Sequence, residues 1–216
     1  MRTTNSRRPA VILASQSPRR RALLRALGVR HRVVRPRIDE VHDHRLRPSV
    51  LVRLNARNKA EAVARSVTAG VVIAADTVVV LGTRYFGKPK DAHDATAMLR
   101  ALSGRTHRVY TGVCIIDVTR RRRWLDVAVS AVSMRSLSEA QIAAYVAQRR
   151  GMDKAGGYGL QDPEAMLVDS VSGSLSNVVG LPLVVVERRL RSCGVLPLDR
   201  AGASRRRRPL PAVPRR

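Results

Sequence analysis

Residues 10–28 read AVILASQSPRRRALLRALG. The first five are apolar and short, which suits a buried strand. Ser17 followed by Pro18 then offers an N-cap with proline at the first helical position. Leu23, Leu24 and Leu27 recur at helical spacing, and Gly28 supplies the stop. A strand handing over directly to a helix is the unit of α/β domains, and the alternation continues downstream. A helix from about Ser49 to Val67 puts Val52, Ala56, Val63 and Val67 on one face, with Lys59 among them. Val71 to Leu81 is a buried valine-rich run, read as a strand pair or hairpin-like unit with Asp76 in its middle. Asp91 caps a third helix carrying Ala92, Ala95, Leu99 and Leu102, with Gly104 as its stop. His107 to Val118 and Trp124 to Ser133 are strands joined through Thr119 to Arg123. Ser138 and Gln141 form a capping box for a helix reaching about Gln148. Met166 to Val171 is a further strand, and Pro182 opens a last helix ending near Gly194.

A chain of 216 residues with 44% apolar and 26% charged residues can bury a core, which excludes collagen, pure disorder and a disulfide-stapled miniprotein. The apolar run at Val71 to Leu81 is broken by Asp76 and Thr77, and a spanning helix needs about 20 apolar residues. No membrane segment or export signal is expected, since the apolar stretch after the basic start ends at Ala14. Cys114 and Cys193 read as buried thiols of a cytoplasmic protein. Residues 1–9 and the Arg/Pro-rich segment 196–216 are predicted to be disordered basic ends, leaving one domain over 10–195.

Forty-one basic residues against 16 acidic ones give a net charge of +25, which calls for a polyanionic partner. Thirty-seven of the basic residues are arginine, so the four lysines, Lys59, Lys88, Lys90 and Lys154, are the informative ones. Arg19, Arg20 and Arg21 fill the first turn of a helix, where the backbone dipole disfavours cations. That placement makes sense if an anion docks on the helix start, held by the Ser15 and Ser17 hydroxyls and by guanidinium forks. A solvated arginine-rich turn is the competing reading. Asp76 inside an apolar run is costly to desolvate without a cation or hydrogen bonds, which marks it as a metal ligand or a general base. A strand-end aspartate in a turn is the bland alternative. Lys59, Lys88 and Lys154 would make a strongly positive pocket for a triphosphate if they converged on the Ser17 helix start, although each could instead reach solvent. The DEVHDH segment, Asp39 to His44, is crowded for a transition-metal site and reads as a solvated loop. Glu40 alone suits magnesium better. His107 reads as a structural histidine. Walker, Rossmann and Gly-x-Ser-x-Gly patterns are absent.

Taken in order, LASQSPRRRALLRALGV, RIDE, NKAEAVA, IAADTVVV, GKPKDAHDATAMLRALSGRTHRVYTGV, DKAGGYGLQ and GSLSNVVGLPL resemble the Maf family of nucleoside triphosphate pyrophosphatases, from about Ala10 to Val195. The resemblance implies an α/β fold of the inosine-triphosphate-pyrophosphatase-like kind, with an elongated mixed sheet flanked by helices and an active-site cleft between two lobes. It implies hydrolysis of a nucleoside triphosphate to the monophosphate and pyrophosphate with a divalent cation, magnesium or manganese, in a cytoplasmic protein that is often a homodimer. Asp76 matches the family's proposed proton acceptor. Arg19, Thr77 and Gln161 match the branch acting on dTTP and UTP; the branch acting on 7-methyl-GTP differs at all three. Two departures stand out. Arg149, Arg150 and Gly151 replace a usual Gly-Glu-Pro, and Asp162-Pro163 follows Gln161 where glycine is usual.

The expected picture sets the triphosphate against the Ser17 helix start, with Arg19, Arg20, Lys59, Lys88 and Lys154 around its phosphates. Glu40 and the phosphates hold the metal, Asp76 either deprotonates the attacking water or holds the metal that does so, and Thr77 and Gln161 read the base edge. A 7-methyl-GTP or broader modified-nucleotide specificity is the enzymatic alternative. A nonenzymatic nucleic-acid-binding or septum-formation regulator is the competing class, which the charge invites and the 3% aromatic content opposes. The basic ends would add nonspecific polyanion contacts.

Overall fold

A computed structural model describes residues 8–160 and 167–195. The segments read as disordered ends fall outside the described residues except for Arg8 and Pro9, as does Gln161. The chain runs β1 (Val11–Ala14), α1 (Pro18–Ala26), β2 (Arg32–Val34), α2 (Pro48–Ala64), β3 (Val71–Leu81), β4 (Arg84–Phe86), α3 (Ala92–Leu102), β5 (Thr106–Asp117), β6 (Arg122–Met134) and α4 (Glu139–Ala147). A short 3-10 turn at Ala155–Gly157 follows, then β7 (Val168–Ser172), α5 (Leu175–Val179) and α6 (Leu183–Ser192). Among the described residues seven strands form one mixed sheet, ordered β2-β1-β3-β5-β6-β7 with β4 added to the far end of β3. β1 runs parallel to β2 and β3, whereas β3, β5, β6 and β7 are antiparallel to their neighbours.

Helix starts form where side chains satisfy the orphan amides. Ser17 Oγ accepts from the Arg20 amide, Asp91 Oδ1 from the Asp94 amide, and Ser138 exchanges both capping-box bonds with Gln141. Val71–Leu81 is one continuous 11-residue strand, not a strand pair or hairpin. It pairs with β1 over its first residues, with β4 over its last, and with β5 from Val71 to Val80. A charge in the middle had suggested a break; burial of Asp76 against α2 explains why none occurs.

The core divides along β3 and β5. Val71, Ile73 and Ala75 pack with Leu23, Leu24, Val186 and Leu190 under α1 and α6, while Val72 and Ala74 pack under Ala56, Ala60 and Val63 of α2. Farther along, Val79 joins Phe86, Leu99, Leu102, Ile142 and Tyr145 beneath α3 and α4. Asp76 and Thr77 sit between these two packed regions, where a cleft between two lobes was expected. Opposite Asp76 on β5 is Gly112. A Cβ there would stand 2.3 Å from the Val52 carbonyl oxygen, so glycine lets the α2 backbone lie directly on the sheet.

Candidate active site

Asp76 is buried on the α2 side of β3 and accepts a 2.7 Å bond on Oδ1 from Lys59 Nζ and a 3.1 Å bond on Oδ2 from Asn55 Nδ2. Asn55 and Lys59 lie one helical turn apart, so α2 presents both to one carboxylate. Asn55 also clasps the Glu40 loop, accepting from the Val41 amide and donating to the Val41 carbonyl. That clasp brings Glu40 Oε1 to 2.9 Å from Lys59 Nζ. One buried ammonium thus bridges two carboxylates. Partial burial works against ionisation of Glu40, but the Lys59 charge and hydrogen bond, helped by the Lys88 charge, hold its carboxyl below the ordinary value.

The start of α1 borders the same space. Ser17 caps the helix, and the buried Ser15 Oγ accepts from the Ser17 amide and from Arg20 Nη1. Arg20 turns inward, donating Nε to the Gly180 carbonyl and Nη2 to Thr77 Oγ1. Burial lowers the pKa of Arg20, partly opposed by the charges of Asp76 and Glu40. Arg19 reaches across to the glycine-rich loop, pairing with the Asp153 carboxylate and donating Nη2 to its carbonyl at 2.8 Å. Burial works against ionisation of Asp153, but the Arg19 hydrogen bond and charge and the Lys154 charge hold it below its usual range. Lys154 pairs with Asp153 and donates to the Arg150 carbonyl. The loop joins the Lys88 turn through the bond from the Gly156 amide to the Gly87 carbonyl, and Gly156 and Gly157 both adopt the left-handed region that such a turn requires.

Ser15, Ser17, Arg19, Arg20, Glu40, Lys59, Asp76, Thr77, Lys88 and Lys154 are therefore connected, through contacts, charges and chain neighbours, around the start of α1 and the Asp76–Thr77 step of β3. Several of them are paired with one another within the protein. Lys59 is occupied by Asp76 and Glu40, and Arg19 by Asp153, rather than standing free for phosphate. Thr77 lies on the opposite face of β3 from Asp76, against Arg20 and Thr111. The DEVHDH segment is a loop in which Asp43 pairs with Arg45 and His44 stacks on Tyr85 at 4.8 Å. No three His, Cys, Asp or Glu residues gather for a metal among the described residues. His107 is structural, as expected, with Nε2 at 2.6 Å from the Tyr158 hydroxyl. Cys114 and Cys193 are buried free thiols. No described helix is long and apolar enough to cross a membrane.

Asn55, Thr111 and Asp153 were not singled out from sequence. Asn55 alone left a legible signal: a polar residue four positions before Lys59 on an apolar helix face.

Residues 10–193 match the family described as Maf-like protein. The chain belongs to the Maf family. Curated Maf relatives include the dTTP/UTP pyrophosphatase of Moorella thermoacetica, 46% identical over 86% of this chain and 95% of that protein. The dTTP/UTP pyrophosphatase of Carboxydothermus hydrogenoformans is 41% identical over 85% and 98%, respectively. That of Thermomicrobium roseum is 45% identical over 85% and 84%. Among solved structures, the Staphylococcus aureus Ham1 protein aligns with a TM-score of 0.41 at 16% identity, over 58% of this chain and 71% of that one.

Proposed function

We propose that this Maf protein hydrolyses dTTP and UTP to the monophosphate and pyrophosphate, in the manner its curated relatives are named for. The single structural observation that carries the reading is the bridge of Lys59 between Asp76 and Glu40, bordered by a basic rim of Arg20 and Lys88 close enough for their charges to act on the pair. The basic rim receives the triphosphate. Asp76 takes the proton of the water that attacks the α-phosphorus, as the bond to the bridging oxygen breaks and pyrophosphate leaves. Asn55 and Lys59 fix the Asp76 carboxylate so that it enters the reaction already oriented.

The donor set suits a hard divalent cation. Glu40 and Asp76 bring hard carboxylate oxygens to either side of Lys59 Nζ, and magnesium or manganese bound through one or two carboxylates completes its shell with substrate phosphates and water. Glu40 and Asp76 would hold it, and when bound it supplies charge neutralisation on the phosphate oxygens. The resemblance also supports a cytoplasmic homodimer, and the charge supports nonspecific polyanion contacts through the basic ends.

Pyrophosphate release from dTTP, UTP, CTP, GTP and 7-methyl-GTP, with magnesium or manganese, tests the reading. Turnover is expected for dTTP and UTP and is expected to fall roughly a hundredfold to ten-thousandfold in Asp76→Asn, the ordinary contribution of one acid–base group. Full turnover in Asp76→Asn, or preference for 7-methyl-GTP, would overturn it.

A further inference from the structure

The hydroxyl chain behind Arg20 has a fixed direction. Thr111 Oγ1 lies 3.2 Å from the Asn177 carbonyl oxygen, which can only accept, so the single Thr111 hydroxyl proton is committed there. Thr77 Oγ1 lies 2.9 Å from Thr111 Oγ1, so in that contact Thr77 donates and Thr111 accepts. The guanidinium of Arg20 can only donate, and its Nη2 donates to Thr77 Oγ1 at 3.1 Å. With every one of these contacts made, protons run Arg20 to Thr77 to Thr111 to the Asn177 carbonyl.

The far end of the chain is anchored. Asn177 is fully buried, and its Nδ2 donates to the Val109 carbonyl and to Ser130 Oγ, which ties α5 to β5 and β6. Gly180, at φ 111°, ends α5 in the left-handed region and presents its carbonyl to Arg20 Nε at 2.8 Å. Arg20 is thus held at Nε, Nη1 and Nη2 by neutral oxygens alone. It forms no ion pair among the described residues, and two of its five N–H groups are left for a ligand. A largely buried guanidinium without a carboxylate partner is suited to an anion that arrives from solution.

We propose that Thr111, acting through Thr77, is a positioning residue that aims the Arg20 fork at a substrate phosphate. The proposal rests on the triphosphate reading above and assigns the two threonines within it. Replacing Thr111 with valine keeps the shape and removes the hydroxyl. The proton of Thr77 then loses its acceptor and competes for other partners, and Arg20 loses its fixed aim.

The test combines calorimetric binding of inorganic tripolyphosphate with steady-state kinetics on dTTP, UTP, CTP and GTP, for the wild type, Thr111→Val and Thr111→Ser. Thr111→Val is expected to weaken tripolyphosphate binding and raise KM for every hydrolysed nucleotide by one shared factor, roughly tenfold, with kcat little changed. Thr111→Ser, which keeps the hydroxyl, is expected to restore both. Unchanged tripolyphosphate affinity in Thr111→Val would overturn the proposal. So would an altered preference among bases at constant affinity for tripolyphosphate, because the threonine pair would then act on the base and not through Arg20. If Thr111→Val does not fold, Thr77→Val removes the acceptor for Arg20 directly and carries the same expectations. Tripolyphosphate binding is measured without turnover, so a wild type that hydrolyses no nucleotide would overturn the proposed function and leave the Arg20 assignment to be judged on binding alone.

Discussion

Asp76 and Thr77 are adjacent in the chain yet face opposite sides of β3, Asp76 toward Lys59 and Asn55 of α2, Thr77 toward Arg20 of α1 and Thr111 of β5. The period-two geometry of a strand makes this unavoidable. Two consecutive residues therefore meet different partners: an ammonium and an amide on the α2 side, a guanidinium and a hydroxyl on the α1 side. A one-residue slip of β3 would exchange the two roles, and the ten-residue register with β5 from Val71 to Val80 guards against it.

The first prediction concerns the α2 side. Lys59 is buried, and its side chain lies within 2.7 Å of Asp76 and 2.9 Å of Glu40. Lys59→Met leaves two neighbouring carboxylates without their shared ammonium, and breaking a buried pair on one side is costly. Because Glu40 is partly solvated, a loss of about 2–3 kcal/mol is expected in urea unfolding near neutral pH, together with loss of turnover. The Lys59→Met, Asp76→Asn double variant should recover part of the stability, since the uncompensated charge is gone. Additive losses in the double variant would show that the two residues are not coupled.

A second prediction follows from His107. Its ring is buried beneath the glycine-rich loop, with Nε2 on the Tyr158 hydroxyl and Nδ1 without a partner, and burial pushes its pKa from 6.5 down to about 4. Above pH 6.5 the imidazole is neutral in both folded and unfolded chains. Below that value the unfolded chain takes up a proton that the folded one refuses until about pH 4, so stability falls as pH drops through this window. The loss is worth about 3 kcal/mol over the window and levels off below it. Urea midpoints of the wild type and His107→Gln between pH 7.5 and 4 check this. Parallel pH profiles for the two proteins would refute it.

Gly112 supplies a third. A methyl group there would stand 2.3 Å from the Val52 carbonyl oxygen and 2.8 Å from the Arg53 amide nitrogen, both backbone atoms that cannot rotate away. Gly112→Ala must push α2 off the sheet and carry Asn55 and Lys59 with it. Destabilisation of about 3 kcal/mol or more, at the upper end of overpacking, is expected, with reduced turnover in whatever remains folded. Wild-type stability in this variant would mean that α2 tolerates the shift.

Much of this architecture was legible in the sequence where local chemistry decides local structure. Ser17, Asp91 and Ser138 announced three helix starts because a capping oxygen acts within three residues. β2, with three residues, and β4, with three more, left no such trace, since so short a strand exists only through pairing with β1 and β3. Asp76 misled in the other direction. A charge inside a valine run reads as a break unless its compensating cation is known, and Lys59 stands 17 residues earlier on another element. The site divided in the same way. Residue types at α1, Glu40, Lys59 and Asp76 marked the cleft, but Arg19 meeting Asp153 and Thr77 meeting Thr111 are tertiary pairings with no spacing to betray them.

The last prediction separates binding from stability at Arg19. Its pair with Asp153 is partly solvent-accessible, with side chains 24% and 53% exposed, and solvent screening holds the contribution of such a pair to about 1 kcal/mol. Arg19→Lys keeps the charge but loses the fork that bonds the Asp153 carboxylate and carbonyl together. Unfolding free energy should therefore stay within about 1 kcal/mol of the wild type. KM for dTTP and UTP should nevertheless rise roughly tenfold, since a lysine cannot hold the glycine-rich loop beside the α1 start by two bonds. Steady-state kinetics alongside thermal unfolding decide the matter. An unchanged KM with a stability loss above about 2 kcal/mol would mean that Arg19 serves only to anchor the loop, because one lost hydrogen bond to a charged group suffices for a loss of that size.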